Sequence, residues 1–304
     1  MKFLNLIRWK NLLMIAFVQL LIKYALLEPY GASTRLDSFG IFILIVATIC
    51  IAAAGNIIND ICDIHTDFIN KPDKLIVSKS ISEQTAYNLF IAFNVIGVGL
   101  GYYMSYSIGK SGFFAIFVVI SALLYIYSTY LKQLFLIGNI VVSILVACSI
   151  LIVGLFDILP EITELNRQTQ LFFFKIIFNY AVFAFSINLL REIVKDLEDI
   201  DGDKKTGMHT LPIVLGEKLT KNILFTLSLL TATTLFIYVF NSLYKNIIVS
   251  LYFITLIIGP VIFTSIKIFS AKDKTTYGQV SNLFKIIMLF GMLSLLLYKY
   301  ILLK

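Results

Sequence analysis

Residues 39–67 of the chain read FGIFILIVATICIAAAGNIINDICDIHTD. The first two thirds of this stretch carry no charge and are almost wholly apolar. That is the length, about 20 residues, that an α-helix needs to cross the hydrocarbon core of a bilayer. Three acidic residues follow at once, namely Asp60, Asp63 and Asp67. The stretch therefore predicts a membrane-spanning helix with a cluster of carboxylates at one end.

The composition of the whole chain agrees with a membrane protein. Of its 304 residues, 59% are hydrophobic and 14% are charged, whereas about 25% are charged in an average soluble domain. The mean hydropathy is +0.90. These values exclude a soluble globular protein, a disordered chain and a disulfide scaffold. We predict an all-α integral membrane protein, a single domain over 1–304, with nine transmembrane helices at 11–27, 39–58, 86–107, 112–131, 138–156, 172–190, 223–240, 247–267 and 280–301.

The acidic residues are concentrated in two short windows. Ten of the 18 lie within residues 60–73 and 192–203. Residues three or four apart lie on one face of a helix, so each window predicts one acidic helical face. The first face carries Asn59, Asp63 and Asp67, and the second carries Asp196, Asp199 and Asp203.

Carboxylates stacked on one helical face repel each other, and the repulsion costs more at the edge of a membrane. A divalent cation removes that cost. Oxygen ligands suit Mg²⁺, which usually combines one or two carboxylates with substrate phosphates. The sequence thus predicts two Mg²⁺ ions with a diphosphate between the two clusters. The alternative is that the acids are merely solvated. Asp60, Glu198 and Asp201 fall off the two faces, and we expect them to be solvated or to support the metal ligands from behind.

The loop charges predict the orientation in the membrane. If the N-terminus is cytoplasmic, sixteen loop Lys and Arg residues fall on the cytoplasmic side and six on the other. Because cytoplasmic loops are enriched in basic residues, we expect the N-terminus and both acidic clusters on the cytoplasmic side of an inner membrane. The C-terminus is then outside. This explains the net charge of +7, and no nucleic-acid partner is expected.

Three stretches carry a resemblance to a known family. Residues 59–72 read NDICDIHTDFINKP, residues 196–212 read DLEDIDGDKKTGMHTLP, and residues 127–139 read YSTYLKQLFLIGN. They resemble the two aspartate motifs and the segment after the fourth helix of the UbiA superfamily of intramembrane prenyltransferases. The resemblance covers nearly the whole chain and implies a UbiA-like bundle of nine helices around a central chamber.

That resemblance also implies a reaction. A polyprenyl diphosphate is ionised with the help of Mg²⁺, an allylic carbocation forms, and a lipid-like acceptor within the membrane lipids attacks it. The catalytic carboxylates would be Asp63, Asp67, Asp199 and Asp203. The metal ligands implied are Asn59, Asp63, Asp67, Asp196, Asp199 and Asp203.

Basic and aromatic residues complete the predicted site. Residues expected to contact the diphosphate are Lys132, Lys74, Arg8 and Arg191. Arg191 has two further readings: it pairs with the nearby acids, or it only marks the cytoplasmic interface. Tyr127 and Tyr130 would shield the carbocation with their ring faces, or else belong to the ordinary aromatic belt of a membrane protein.

Residues 191–203 are similar to the digeranylgeranylglyceryl phosphate synthase branch of the superfamily. This similarity implies a geranylgeranyl donor and the hydroxyl of geranylgeranylglyceryl phosphate as acceptor. An aromatic compound, a quinone precursor or haem stays open as the acceptor, and a membrane transporter is the alternative outside enzymes. The chain departs from the family where an Arg-Pro pair is often found, since it has Lys74-Leu75 and Arg8-Trp9 there.

Overall fold

The computed structural model describes residues 2–271 and 273–302, apart from the side chain of Lys74. Within these residues, nine helices are long and apolar enough to cross a membrane, so the predicted number of spans is confirmed. We label these helices in chain order. They are α1 (Trp9–Tyr30), α2 (Ser38–Cys62), α3 (Glu83–Ser107), α4 (Ser111–Thr129), α5 (Ile137–Glu161), α6 (Arg167–Glu198), α7 (Glu217–Leu243), α8 (Ile247–Ser270) and α9 (Lys274–Leu302).

Several helices continue beyond the apolar runs that predicted them. The sixth run was expected at 172–190, but α6 extends to Glu198. It therefore carries the first part of the second acidic window as regular helix. Backbone hydrogen bonds propagate through polar residues as readily as through apolar ones, so hydropathy locates the span and not the end of the helix.

The chain divides into two compact units. One comprises residues 1–132 and 148–178, and the other comprises residues 133–147 and 179–304. The first acidic window belongs to the first unit, and the second window belongs to the second. Helices α5 and α6 each contribute residues to both units.

In the first unit, glycines allow α2, α3 and α4 to pack closely. A side chain at Gly97 of α3 would meet Ile51 and lie 3.1 Å from the carbonyl oxygen of Ala47 on α2. A side chain at Gly101 would meet the ring of Phe117 on α4. Small residues at such positions are the usual means of close helix packing in lipid.

The end of α2 that carries the acidic window is held by a small apolar cluster. Its fully buried members are Leu6, Ile57, Ile58, Ile61, Val77 and Ala86. The cluster joins the N-terminal segment and the loop after the first window to α2. It therefore fixes the position of the carboxylates that follow on the same helix.

In the second unit, α6, α7, α8 and α9 share a long apolar core. Leu224, Val261, Phe284 and Ile187 are each buried within it. The ring of Phe183 on α6 lies directly over Gly291 on α9, where any side chain would clash with it. This core holds the part of α6 that leads to the second acidic window.

A buried ion pair fixes the loop between α1 and α2. The side chains of Lys23 and Asp157 are both fully buried, and Lys23 Nζ lies 3.1 Å from Asp157 Oδ2. Lys23 also donates to the carbonyl of Leu36 at 2.6 Å, and Asp157 Oδ1 accepts from the Leu36 N–H at 2.7 Å. The pair therefore provides hydrogen-bond partners for the backbone of Leu36 in the loop and neutralises its own two charges. It also attaches the loop to α5.

Lys23→Met is expected to destabilise the protein by about 3–5 kcal/mol, because it leaves a buried carboxylate without its cation. Adding Asp157→Asn removes that charge while an amide oxygen still accepts from Leu36, so the double variant should recover part of the loss. Thermal unfolding in detergent measures both.

The control for this pair is Arg35→Gln. It breaks an exposed pair with Glu161 in the same loop region, 3.3 Å long, and should cost less than about 1 kcal/mol. Equal losses for Lys23→Met and Arg35→Gln would contradict the structural role of the buried pair.

Candidate active site

The first motif is built around a break in the helix at Asp63. Helix α2 ends at Cys62, a short helix Ile64–Asn70 follows, and Asp63 between them has φ −93° and ψ 3°. The spacing of the acidic residues did not predict this interruption of the helix. The hydrogen bonds from Asp63 N to Asn59 O (2.9 Å) and from Asp67 N to Asp63 O (2.7 Å) nevertheless keep the spacing of four residues.

The second motif has the same construction. Asp199 lies between α6 and a short helix Ile200–Lys205, with φ −105° and ψ 9°. Its N–H bonds to Lys195 O at 2.9 Å, and the N–H of Asp203 bonds to Asp199 O at 3.1 Å. Both central aspartates thus adopt the sparsely allowed backbone region in which many active-site residues are found. The sequence pattern did not predict this shared break.

Lys132 lies against the central carboxylate of the first motif. Its Nζ is 2.6 Å from Asp63 Oδ1, and its side chain is only 10% exposed. Asn59 Nδ2 donates to the other oxygen of Asp63 at 2.8 Å, which leaves the Asn59 amide oxygen as the possible metal ligand. The structure therefore brings three of the predicted residues together, although Lys132 is 69 residues away from Asp63 in the chain.

Arg8 reaches the same motif through Asp60. Its Nη2 lies 2.7 Å from Asp60 Oδ1. Arg8 has a left-handed backbone with φ 52°, and the preceding Ile7 carbonyl accepts from Asn56 Nδ2 at 3.0 Å. Of the two readings for Asp60, the structure shows the supporting one, since Asp60 holds the predicted phosphate-binding Arg8 beside the motif.

Negative charge exceeds positive charge around Asp67. The pKa of Asp67 is raised from 3.8 to about 6, first by burial and then by the charges of Asp63 and Asp60. Lys71 and Arg8 act in the opposite direction but do not cancel this rise. A carboxylate whose ionisation is opposed by its neighbours favours an added cation.

The donor set suits Mg²⁺. Among the described residues, no group of three or more His, Cys, Asp or Glu side chains is gathered into a cation site by itself. The first motif offers two carboxylates and an amide oxygen and the second offers three carboxylates, and Mg²⁺ takes such oxygens together with phosphate oxygens. The residues fit a metal ion that takes its remaining ligands from the substrate.

Asn139, which the sequence pattern did not single out as a site residue, supports the second motif. Its Nδ2 donates to Asp196 Oδ2 at 2.8 Å. The Asn139 carbonyl in turn accepts from Ser143 Oγ at 2.6 Å, and Asn188 Nδ2 donates to that Ser143 hydroxyl at 3.2 Å. The available signal was the position of Asn139 at the end of the third family-like stretch.

Glu192 forms ion pairs with two nearby basic residues of α6. Arg191 Nη1 lies 2.6 Å from Glu192 Oε1, and Lys195 Nζ lies 2.8 Å from Glu192 Oε2. Glu192 itself is buried. Of the two readings for Arg191, the structure shows pairing with an acid, one turn before Asp196 on α6. Its contact with a diphosphate stays a prediction.

The remaining predicted residues differ in exposure. Tyr130 is 60% exposed and Tyr127 is half-buried, so their shielding role stays a prediction. The side chain of Lys74 lies outside the described residues. His65 and His209 are exposed.

Comparisons with known proteins agree on one family. The model of the UbiA prenyltransferase family matches residues 21–289. The digeranylgeranylglyceryl phosphate synthase of Methanosphaera stadtmanae is 30% identical over 96% of this chain and 97% of the relative.

Solved structures show the same fold. One from work on digeranylgeranylglyceryl phosphate synthase aligns with a TM-score of 0.64 at 24% identity, covering 97% of this chain and 96% of that one. A UbiA homologue from Archaeoglobus fulgidus, bound to DMAPP and Mg²⁺, aligns with a TM-score of 0.56 at 19% identity. That alignment covers 97% of this chain and 99% of the homologue.

The raised pKa of Asp67 predicts a pH-dependent stability for the metal-free protein. The folded state holds this proton more tightly than the unfolded chain, whose carboxyl has a pKa near 3.8. The contribution is therefore full below about pH 4 and lost as the pH rises through 6. In chelator, Asp67→Asn should be more stable than wild type at pH 7.5, by up to about 3 kcal/mol, and the gap should shrink at pH 5.

Thermal unfolding at the two pH values checks this prediction. As a control, Mg²⁺ at pH 7.5 should raise the unfolding temperature of wild type more than that of Asp67→Asn. A gap that is the same at both pH values would show that Asp67 is not the group responsible.

Proposed function

Because the chain belongs to the UbiA prenyltransferase family, we propose that it transfers a geranylgeranyl group from its diphosphate to the hydroxyl of geranylgeranylglyceryl phosphate. That it is a prenyltransferase and an integral membrane protein follows from the family and the nine apolar helices. The choice of donor and acceptor is supported by the Methanosphaera stadtmanae synthase, which aligns along almost the entire chain.

The observation that carries the proposal is the surplus of carboxylate at the first motif. Asp60 and Asp63 already have cationic partners at 2.7 and 2.6 Å, and Asp67 still adds a charge that its surroundings oppose. Mg²⁺ held by Asn59, Asp63 and Asp67, and a second ion held by Asp196, Asp199 and Asp203, would supply the charge that neutralises the departing diphosphate. The Archaeoglobus fulgidus homologue, bound to DMAPP and Mg²⁺, supports this choice of metal.

Lys132 has a distinct role in the proposal. Without substrate, its ammonium group neutralises Asp63. Asp63 would be among the residues that hold Mg²⁺, and Lys132, which lies beside it, would donate to a phosphate oxygen of the diphosphate. Arg8, oriented by Asp60, binds the phosphate as well, and Lys74 and Arg191 complete the basic set.

The surroundings exclude water from the reaction. The bond between the prenyl carbon and the diphosphate breaks, the acceptor hydroxyl attacks the allylic cation, and its proton is released as the ether bond forms. Apolar membrane helices keep competing water away. The rings of Tyr127 and Tyr130 attract the cation electrostatically.

We place both motifs and the N-terminus on the cytoplasmic side of the cytoplasmic membrane. The loop charges support this orientation, and two of the counted residues, Lys272 and Lys304, lie outside the described residues. Without these two, the loops carry fifteen Lys and Arg residues on the cytoplasmic side and five on the other.

Product analysis tests the reaction. Purified protein with Mg²⁺, geranylgeranyl diphosphate and geranylgeranylglyceryl phosphate should release diphosphate and give the doubly prenylated glyceryl phosphate, identified by mass. Parallel reactions with aromatic acids, quinone precursors and haem should give no product. Transfer only to one of these would overturn the proposed acceptor, and no transfer to any acceptor would overturn the proposed function.

Asp199→Asn should abolish transfer, by at least about a thousandfold, because it removes a carboxylate from the predicted metal site. Asp201→Asn is the matched control, since it makes the same change two residues away at an exposed position. It should retain near wild-type turnover. Equal losses of transfer activity in both variants would contradict the assignment of Asp199 to the metal site. Size-exclusion profiles establish that both variants fold.

Cysteine labelling checks the orientation. In a chain whose three native cysteines are replaced by alanine, His65→Cys and His209→Cys place thiols at exposed positions near the two motifs. An impermeant maleimide added outside intact cells should label neither. Leu165→Cys, fully exposed between α5 and α6, should be labelled. External labelling of either histidine position would contradict the proposed topology.

A further inference from the structure

Asn56 is a polar residue within a membrane-spanning helix, and it belongs to neither metal motif. It lies on α2, one turn before Asp60, and it is half-buried. Its Nδ2 donates to the carbonyl of Ile7 at 3.0 Å. Because polar side chains in spanning helices are costly and often functional, the segment that Asn56 contacts bears on its role.

The segment before α1 contains a break between two helices. A short helix Lys2–Leu6 ends there, and α1 begins at Trp9. Arg8 between them has φ 52° and ψ 50°. This is the left-handed conformation, which is unfavourable for a residue with a β-carbon. Such a conformation persists only where the surroundings hold it.

Asn56 supplies a hydrogen bond that the break removes. In an uninterrupted helix the Ile7 carbonyl would accept from the N–H of Asn11, four residues later. That N–H instead donates to the Arg8 carbonyl at 2.8 Å, and the Asn56 amide takes its place at Ile7. The bond from Asn56 therefore stabilises the left-handed turn relative to a continuous helix.

Two further contacts hold the short helix that precedes the turn. Leu6 is fully buried in the apolar cluster that includes Ile57 of α2. The ring of Phe3 stacks on that of Phe93 on α3, with 6.4 Å between the ring centroids. The short helix is therefore fixed on α2 and α3, and Asn56 fixes the turn that follows it.

The turn directs the side chain of Arg8 to the first motif. Arg8 Nη2 lies 2.7 Å from Asp60 Oδ1. Asn56 and Asp60 are four residues apart on α2 and therefore lie on one face of that helix. Adjacent turns of α2 thus hold the guanidinium and the backbone of the turn that carries it. The side chain of Arg8 is 37% exposed, so a ligand can reach it.

We propose that Asn56 is a positioning residue, which holds the Ile7–Arg8 turn in the form that presents the Arg8 guanidinium to the diphosphate of the donor. The inference rests on the proposed function for the nature of that ligand. A guanidinium that is already held in place loses less conformational entropy when it binds phosphate. Asn56 therefore contributes to diphosphate affinity through Arg8.

A double-mutant cycle tests whether the effect of Asn56 depends on Arg8. The four proteins are wild type, Asn56→Leu, Arg8→Ala and the variant with both changes. Leucine keeps the branched shape of asparagine and cannot donate a hydrogen bond. The probe is inorganic diphosphate with Mg²⁺, and its dissociation constant is measured by titration calorimetry, which reports binding without turnover.

Arg8→Ala should weaken diphosphate binding by about tenfold or more, because it removes a charge-assisted contact. Asn56→Leu should weaken binding about fivefold in the wild-type background and less than about twofold in the Arg8→Ala background, because its effect passes through Arg8. An equal weakening in both backgrounds overturns the proposal. An unchanged dissociation constant for either single variant also overturns it.

Asn94→Leu is the matched control. Asn94 is a half-buried asparagine of another spanning helix, α3, and its Nδ2 also donates to a backbone carbonyl, that of Phe90, at 3.1 Å. The same substitution at Asn94 should leave the dissociation constant unchanged. A weakening equal to that of Asn56→Leu would show that the loss of any such hydrogen bond is enough, and it would overturn the positioning role.

Steady-state kinetics separate positioning from a loss of folded protein. A partly unfolded sample lowers kcat in proportion and leaves KM unchanged, whereas a displaced Arg8 raises KM for the prenyl diphosphate and not KM for the acceptor. If Asn56→Leu yields no folded protein, Asn56→Ala removes the same donor without adding an apolar group, and the same change in affinity is expected. A fall of kcat alone with Asn56→Ala overturns the proposal.

The proposed function and the role of Asn56 fail on different outcomes. If no acceptor is prenylated but diphosphate binding follows the expected cycle, the transfer reaction is refuted and the positioning role of Asn56 is retained. If geranylgeranylglyceryl phosphate is prenylated and the two substitutions have additive effects, the positioning role is refuted and the transfer reaction is retained.

Discussion

The cost of placing a carboxylate at or within a membrane governs this structure. An ionised acid away from water is tolerated when a cation or several hydrogen bonds replace its hydration. The chain meets this requirement repeatedly. Asp157 pairs with Lys23, Asp60 with Arg8, Asp63 with Lys132, and Glu192 with both Arg191 and Lys195.

The partners of each acidic side chain distinguish the structural ion pair at Asp157 from the predicted reactive site at the first motif. Asp157 is completely enclosed, and its partners are the buried Lys23 and the backbone N–H of Leu36. The first motif is different, because the charges of Asp63 and Asp60 both oppose the ionisation of Asp67. A balanced pair stabilises a fold, whereas an excess of negative charge creates a place for a cation that arrives with the substrate.

The helix breaks give both motifs a common geometry. A continuous helix would keep all of its side chains on the surface of one cylinder. At Asp63 and Asp199 the helix stops for one residue and begins again, and the hydrogen bonds between residues four apart are retained. The break redirects the helical turn that follows each aspartate, while the four-residue spacing of the hydrogen bonds is kept. The central aspartates of both motifs therefore have the same backbone conformation.

The sequence by itself determined the class of protein, the nine spans and the residue types of the two motifs. These follow from hydropathy and local spacing, which depend on near neighbours in the chain. Only the tertiary structure decided that Lys132 meets Asp63 and that Asn139 meets Asp196, across 69 and 57 residues. It also decided the breaks at Asp63 and Asp199 and the partner of Lys23. Each of these depends on which distant groups share a water-poor environment, where an unpaired charge or donor is costly, and no local pattern carries that information.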